Sequence, residues 1–217
     1  MTASGFSAFD PRAIQFLRDI EKNNDRVWFA SHKQTYETYL KQPANEFARI
    51  IARELEALTG LTHDPKVFRI YRDLRFSKDK RPYNAHIHLT FYCRASVADW
   101  FFALAPGHLT FGVGTFGFEK DALKTFRERV ISRQGTQFAQ ILRTMERKGM
   151  RITPPQLKRI PAGYPPDHPR ADLLRHKALT VWSDMPDPMD ATKPSFLRHT
   201  MKHYIALKPL FDWLGQP

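Results

Sequence analysis

The apolar residues of this chain change their spacing near Lys66, and no all-helical or all-strand fold accommodates that change. Before it the period is helical. Asp10-Pro11 reads as an N-cap with proline at the first helical position, and Ile14, Phe16, Leu17 and Ile20 continue the pattern up to Asn23-Asn24. A second helix is expected from about Arg26 to Leu40, with Trp28, Phe29, His32, Tyr36 and Leu40 on its buried side. Pro43 then opens a third that carries Phe47, Ile51, Leu55 and Leu58 and closes at Gly60. After Lys66 polar and apolar residues alternate, which predicts strands at 67–71, 85–94, 99–104 and 109–116. Short turns separate most of them and favour antiparallel pairing, because a parallel pair needs a crossover of about a dozen residues or more. Helical spacing returns at Leu123, Phe126 and Val130 and at Phe138, Ile141, Leu142 and Met145, stopping at Gly149. Residues 149–169 hold six prolines and predict an extended surface segment, long enough to be a candidate cover for a site. A last strand is expected at 178–182, then a helix from Pro194 with Leu197, Met201, Tyr204 and Ile205, and an aromatic tail of Phe211 and Trp213. The expected architecture is α+β, a single domain whose mostly antiparallel sheet is covered by N-terminal and C-terminal helices. Its parts are a helical layer (1–62), main strands (63–118), helices (119–148), a proline-rich loop (149–169), and a strand with a closing helix (170–217).

A chain of 217 residues with 42% hydrophobic side chains can bury a full-sized core. Its longest apolar stretch, near 100–105, is far short of a membrane span, and Met1-Thr2-Ala3-Ser4-Gly5 lacks a basic-then-apolar signal, so a cytoplasmic protein without a membrane partner is expected. The lone Cys93 excludes an intrachain disulfide and a multi-cysteine metal site, and beside an apolar strand it reads as packing. The formal net charge is +12, and it is uneven: residues 1–65 carry 8 cationic and 9 anionic side chains, 66–131 carry 12 and 6, and 132–217 carry 14 and 7. Such an excess points to anionic partners, either a small ligand or a nucleic acid whose phosphates the basic surface tracks.

The cations are densest in Lys66-Val-Phe-Arg-Ile-Tyr-Arg-Asp-Leu-Arg-Phe-Ser-Lys-Asp-Lys-Arg-Pro-Tyr83, where seven of them meet only Asp73 and Asp79. In an extended segment Arg69, Tyr71 and Asp73 share one face, while Ile70, Arg72 and Leu74 share the other, so an arginine is pressed among apolar side chains. Two readings follow. The arginines and aspartates form a structural ion-pair network. Alternatively, the surplus cations Arg69, Arg72, Arg75, Lys78 and Lys80 converge on phosphate or carboxylate oxygens, with Ser77 and Tyr83 donating hydroxyls and Asp73 orienting an arginine. If chemistry accompanies binding, Asp79 and His86 are the candidates for proton transfer.

The segments Arg69-Ile-Tyr-Arg-Asp73, Arg75-Phe-Ser-Lys-Asp-Lys80 and Pro82-Tyr83 closely resemble the signature of a widespread bacterial family, domain of unknown function 2461. The likeness extends to Asn23-Asn24 with Trp28-Phe29, to the strand around Gly112 and Gly114, and to Leu157-Lys-Arg159 with Pro161 and Gly163-Tyr164. Where members often read Pro-Tyr-Lys-Thr-His, this chain has Pro82-Tyr83-Asn84-Ala85-His86. The resemblance implies no particular activity.

Other groupings are weaker. His86 and His88 share a strand face, but no spacing supplies a third ligand, so no metal and no cofactor is expected. Gly112 and Gly114 lack the strand, turn and helix order of a dinucleotide fingerprint. Gly114 reads instead as a bulge or as the place where another side chain crosses the strand. Lys158 and Arg159, on the proline-stiffened loop, are candidates to reach an anion as a lid.

Overall fold

The structure, a computed structural model, describes residues 5–215; Met1 to Ser4, on which the signal reading partly rests, lie outside the described residues. Helix α1 (Pro11–Lys22) starts where expected, with the Asp10 carboxylate accepting from the Arg12 N–H at 2.9 Å. Helix α2 (Arg26–Thr35) is capped by Asp25, which accepts from Val27 and Trp28 N–H. The expected break before Pro43 is absent. The chain passes through a π turn (Tyr36–Lys41) straight into α3 (Gln42–Thr59). In that turn the Gln42 N–H donates to Glu37 C=O, five residues back. Proline lacks the N–H that a tight turn would use, so a widened turn ahead of it carries the helix past Pro43. Gly60 ends α3 in the left-handed region at φ 74°, which only glycine adopts freely.

Among the described residues six strands follow the hydrogen-bonded order β1-β2-β3-β4-β6-β5: β1 (Asp64–Val67), β2 (Ile87–Tyr92), β3 (Asp99–Leu104), β4 (Leu109–Thr115), β5 (Arg151–Ile152) and β6 (Leu179–Met185). The fold is α+β with an antiparallel sheet. The first strand lies three residues earlier than the alternation predicts. Residues 68–72 still run beside 82–88, but irregularly, through Phe68 N–H to His88 C=O (3.0 Å), Asn84 N–H to Ile70 C=O (2.7 Å) and a lone bridge between Tyr71 and Tyr83. Strand β5, unforeseen within the proline-rich segment, pairs antiparallel with β6. Helices α4 (Lys120–Ile131), α5 (Gln134–Arg147), α6 (Ala171–Leu174) and α7 (Phe196–Gly215) complete the chain, and α7 runs through Pro209 to take in Phe211 and Trp213.

The chain's contacts divide it into two compact units: residues up to Phe91 with 101–110 and 184–202, and residues 92–100 with 111–183 and 203 onward. The first unit packs Phe9, Phe47, Phe102 and Phe196 ring against ring with centroids 4.7–6.1 Å apart. In the second, Trp100 meets Tyr204 and Phe211, and Trp213 stacks on Phe138 at 3.9 Å. The glycines of β4 answer to close approaches. A Cβ at Gly112 would run into the Trp182 indole, and one at Gly114, whose φ is +134°, into the backbone of Leu179 and Thr180. A crossing side chain therefore explains Gly112, and a crossing backbone explains Gly114.

Candidate functional site

The basic segment belongs to the first unit. Ile70 is buried and Arg69, Tyr71 and Asp73 are exposed, as the alternation predicts, while Arg72 is turned inward with 22% of its side chain exposed. Its guanidinium meets three acceptors. Nη1 donates to Asp79 Oδ2 (2.8 Å) and to the Arg81 carbonyl (3.0 Å), and Nη2 donates to Ser77 Oγ (3.3 Å). The Ser77 hydroxyl in turn donates to the Asp79 carbonyl (2.9 Å), and the Lys80 ammonium donates to the Leu74 carbonyl (3.2 Å). Asp79 also receives the Arg81 guanidinium through Nε and Nη2, with the Arg81 N–H on Oδ1 at 3.0 Å. Asp73 clasps Arg75 in the same bidentate way, its closest contact 2.6 Å. Two carboxylates thus hold three arginines and fold residues 72–81 into a closed frame.

These contacts decide what Asp79 can do. Hydrogen bonds from Arg81, then Arg72, hold its carboxyl well below the ordinary carboxylate range. A group so engaged stays ionised and has no reason to exchange protons near neutral pH. His86 lies apart from these partners. Its ring is 5.6 Å from that of His88, and burial, followed by the charge of His108, lowers its pKa, so the imidazole is neutral at pH 7. Among the described residues no three His, Cys, Asp or Glu side chains are grouped to hold a metal ion, and no described helix is long and apolar enough to cross a membrane.

Tyr83 is a core residue rather than a presented hydroxyl. Its ring stacks on Phe29 at 4.3 Å and meets Tyr71 edge-on at 5.3 Å, and burial raises the pKa of its phenol. Its backbone is gripped from a distance of 59 residues. The Asn24 amide donates to the Tyr83 carbonyl and accepts from the Tyr83 N–H, both at 3.0 Å, as a neighbouring strand would. The junction between α1 and α2 therefore fixes the end of the basic segment, a link that sequence spacing alone does not reveal.

Arg69 precedes the frame, and its charge adds to the hold on Asp73. It lines an open cleft of about 450 Å³ with Val67, Phe68 and Tyr71 on one side and Lys33, Tyr36, Glu37, Lys41 and Asn45 on the other. The second wall comes from the end of α2, the π turn and the start of α3, and widened turns of this kind are frequent at functional sites. Lys41 already pairs with Glu37 at 2.9 Å. Burial, with the charges of Glu37 and Tyr71 adding to it, pushes the Tyr36 phenol up to about 12, partly offset by a hydrogen bond with the Ile70 backbone, so it remains protonated. The helix-borne half of this cleft is not foreseen from sequence, because Lys33 and Lys41 carry no local signal of their own. Lys78 is exposed near the tip of the frame. Lys158 and Arg159 belong to the second unit and are exposed on a segment anchored by the Leu157 N–H to the Arg175 carbonyl (3.0 Å).

A family model described as conserved hypothetical protein (DUF2461) matches residues 12–213. No curated protein matches the chain.

Proposed function

The chain belongs to the DUF2461 family of conserved hypothetical proteins, a membership that assigns no activity, and from the geometry of the first unit we propose that it binds a small anion with phosphate or carboxylate oxygens in the cleft beside Arg69. The observation that carries this reading is an imbalance of charge: Lys33, Lys41 and Arg69 line the cleft with one carboxylate, Glu37, which Lys41 already holds, and Asp73, whose charge also interacts with Arg69, is clasped by Arg75. An anion relieves the repulsion among the remaining cations, and the planar Arg69 fork offers paired N–H donors to two oxygens of one ligand. The protonated Tyr36 and the half-exposed Tyr71 give the cleft an aromatic floor. Asp73, Arg75, Ser77, Lys78, Lys80 and Tyr83 are not needed in this pocket.

A second reading applies to part of the segment. The hydrogen bonds among Arg72, Ser77, Asp79 and Arg81 favour a fold-stabilising ion-pair network for those residues. The two readings divide the cluster between them.

The test is a thermal-shift and calorimetric titration with inorganic phosphate, pyrophosphate and a tricarboxylate on the parent and on Arg69→Ala. At a hundredfold excess over Kd, binding raises Tm by about 5–10 °C for a chain of this size. The rise is expected in the parent and lost in Arg69→Ala, whose unliganded Tm stays close to the parent's. A rise that persists in Arg69→Ala, or no rise with any of the three anions, overturns the proposal.

A further inference from the structure

We propose that the 72–81 frame is a docking platform for single-stranded nucleic acid, with Phe76 stacking on a base and Arg75, Lys78 and Lys80 meeting the phosphates. Phe76 is 95% exposed, the most exposed large apolar side chain among the described residues. It sits on a loop that is internally bolted. Arg72 and Ser77 tie both ends to Asp79, the Ser77 N–H donates to the Leu74 carbonyl, and Lys80 holds the same carbonyl. Hydrogen bonds therefore brace the loop beneath the ring. Bracing the loop lowers the ordering cost that stacking on a flat partner carries.

The surroundings of the ring select the partner. Arg75 lies 5.9 Å from the Phe76 centroid, and Lys78 and Lys80 follow within four residues, so the ring is set among cations rather than in an apolar patch. An apolar protein groove would desolvate those charges without pairing them. A bilayer fits no better. Asp73 and Asp79 stand three residues to either side of Phe76, both held ionised by their arginines, and sinking the ring among acyl chains would drag those carboxylates out of water. On an unstacked nucleotide the ring meets a base face while the ion pairs stay wet and the lysines approach phosphate. Duplexes hide their base faces, so the fit is to single strands. The platform is separate from the Arg69 cleft, and the two proposals stand independently.

The experiment is fluorescence anisotropy of the full chain with a labelled single-stranded oligothymidylate, the matching duplex, and, as a separate titration, vesicles containing phosphatidylserine. Phe76→Ala is expected to weaken single-strand binding by about 5- to 150-fold while Phe76→Trp retains it. Because the ring has almost no covered surface, the alanine variant keeps the parent's Tm, which separates lost stacking from lost folding. Lys78→Ala is expected to reduce the slope of log K against log salt by about 0.7, one phosphate contact on a single strand. Equal affinity for the duplex, unchanged affinity in Phe76→Ala, or Phe76-dependent vesicle binding with no oligonucleotide binding overturns the inference.

Discussion

Arg69 and Arg72 stand three residues apart in one segment and have opposite fates. Arg72 points inward, keeps 22% of its side chain exposed, and uses its guanidinium on Asp79, Ser77 and the Arg81 carbonyl. Arg69 is exposed and turns to a cleft shared with Lys33 and Lys41. Residue type does not separate them. Strand alternation puts them on opposite faces, and on the inner face the Arg72 guanidinium is hydrogen-bonded to a carboxylate and two further oxygens. A count of cations against aspartates is thus a poor guide to an anion site, because one aspartate can serve two arginines and leave a third cation elsewhere.

The largest test of this contrast is to truncate each arginine in turn. Arg72→Ala leaves Asp79 with one arginine and strips Ser77 and the Arg81 carbonyl of a donor, and it is expected to cost about 1–3 kcal/mol of unfolding free energy, measured by urea denaturation. Arg72→Lys recovers only part of this, since an ammonium cannot span the three acceptors as the planar fork does. Arg69→Ala is expected to stay within about 0.5 kcal/mol of the parent, as exposed substitutions away from special features usually do. Equal costs at the two positions would erase the distinction between frame and cleft.

A smaller effect is expected where the segment is pinned from outside. Asn24→Ala removes both hydrogen bonds to the Tyr83 backbone at a part-buried site, for about 1–2 kcal/mol by the same measurement. Asn24→Asp is expected to be no better. Its carboxylate still accepts from the Tyr83 N–H but sets a negative charge against the Tyr83 carbonyl. An unaffected Asn24→Ala would mean that the Phe29–Tyr83 stack alone fixes the end of the segment.

Much of this arrangement is legible in the sequence, and the gaps have physical causes. Asp10-Pro11 and Gly60 mark helix ends because caps act over two or three residues, and the third strand is found at its full length because both of its turns are local. The first strand is misplaced because alternation persists through 67–71 while regular pairing stops at Val67, and pairing is a property of the partner. The π turn escapes because Pro43 looks the same whether the chain breaks or widens ahead of it. Within the site, the surplus of cations and the inward arginine are readable. That Asp79 takes Arg81 as well as Arg72, and that Tyr83 is core, depend on how the loop closes and on Asn24, 59 residues away.

The finest difference to resolve lies between the two carboxylates of the frame. Both have folded-state pKa values pulled below the ordinary value of 3.8, Asp73 chiefly by the Arg75 hydrogen bond and Asp79 by Arg81 and then Arg72. A depressed carboxylate contributes stability that is complete above its unfolded pKa and disappears as pH falls through that value to the folded one, because the unfolded chain takes up the proton first. Stability is therefore expected to decline as pH drops below about 4, with no loss from these groups between pH 5 and 8. Arg75→Ala relieves only Asp73, whose pair is solvent-exposed, with 77% of the Arg75 side chain accessible, and it is expected to flatten the acid limb slightly without moving neutral-pH stability. Arg81→Ala is expected to flatten it further, since it removes the larger of the two arginine contributions to Asp79 and leaves only Arg72. Urea midpoints measured from pH 2 to pH 7 on the parent and both variants rank the two carboxylates directly, and a limb that Arg75→Ala flattens more than Arg81→Ala does would place the stronger clasp on Asp73.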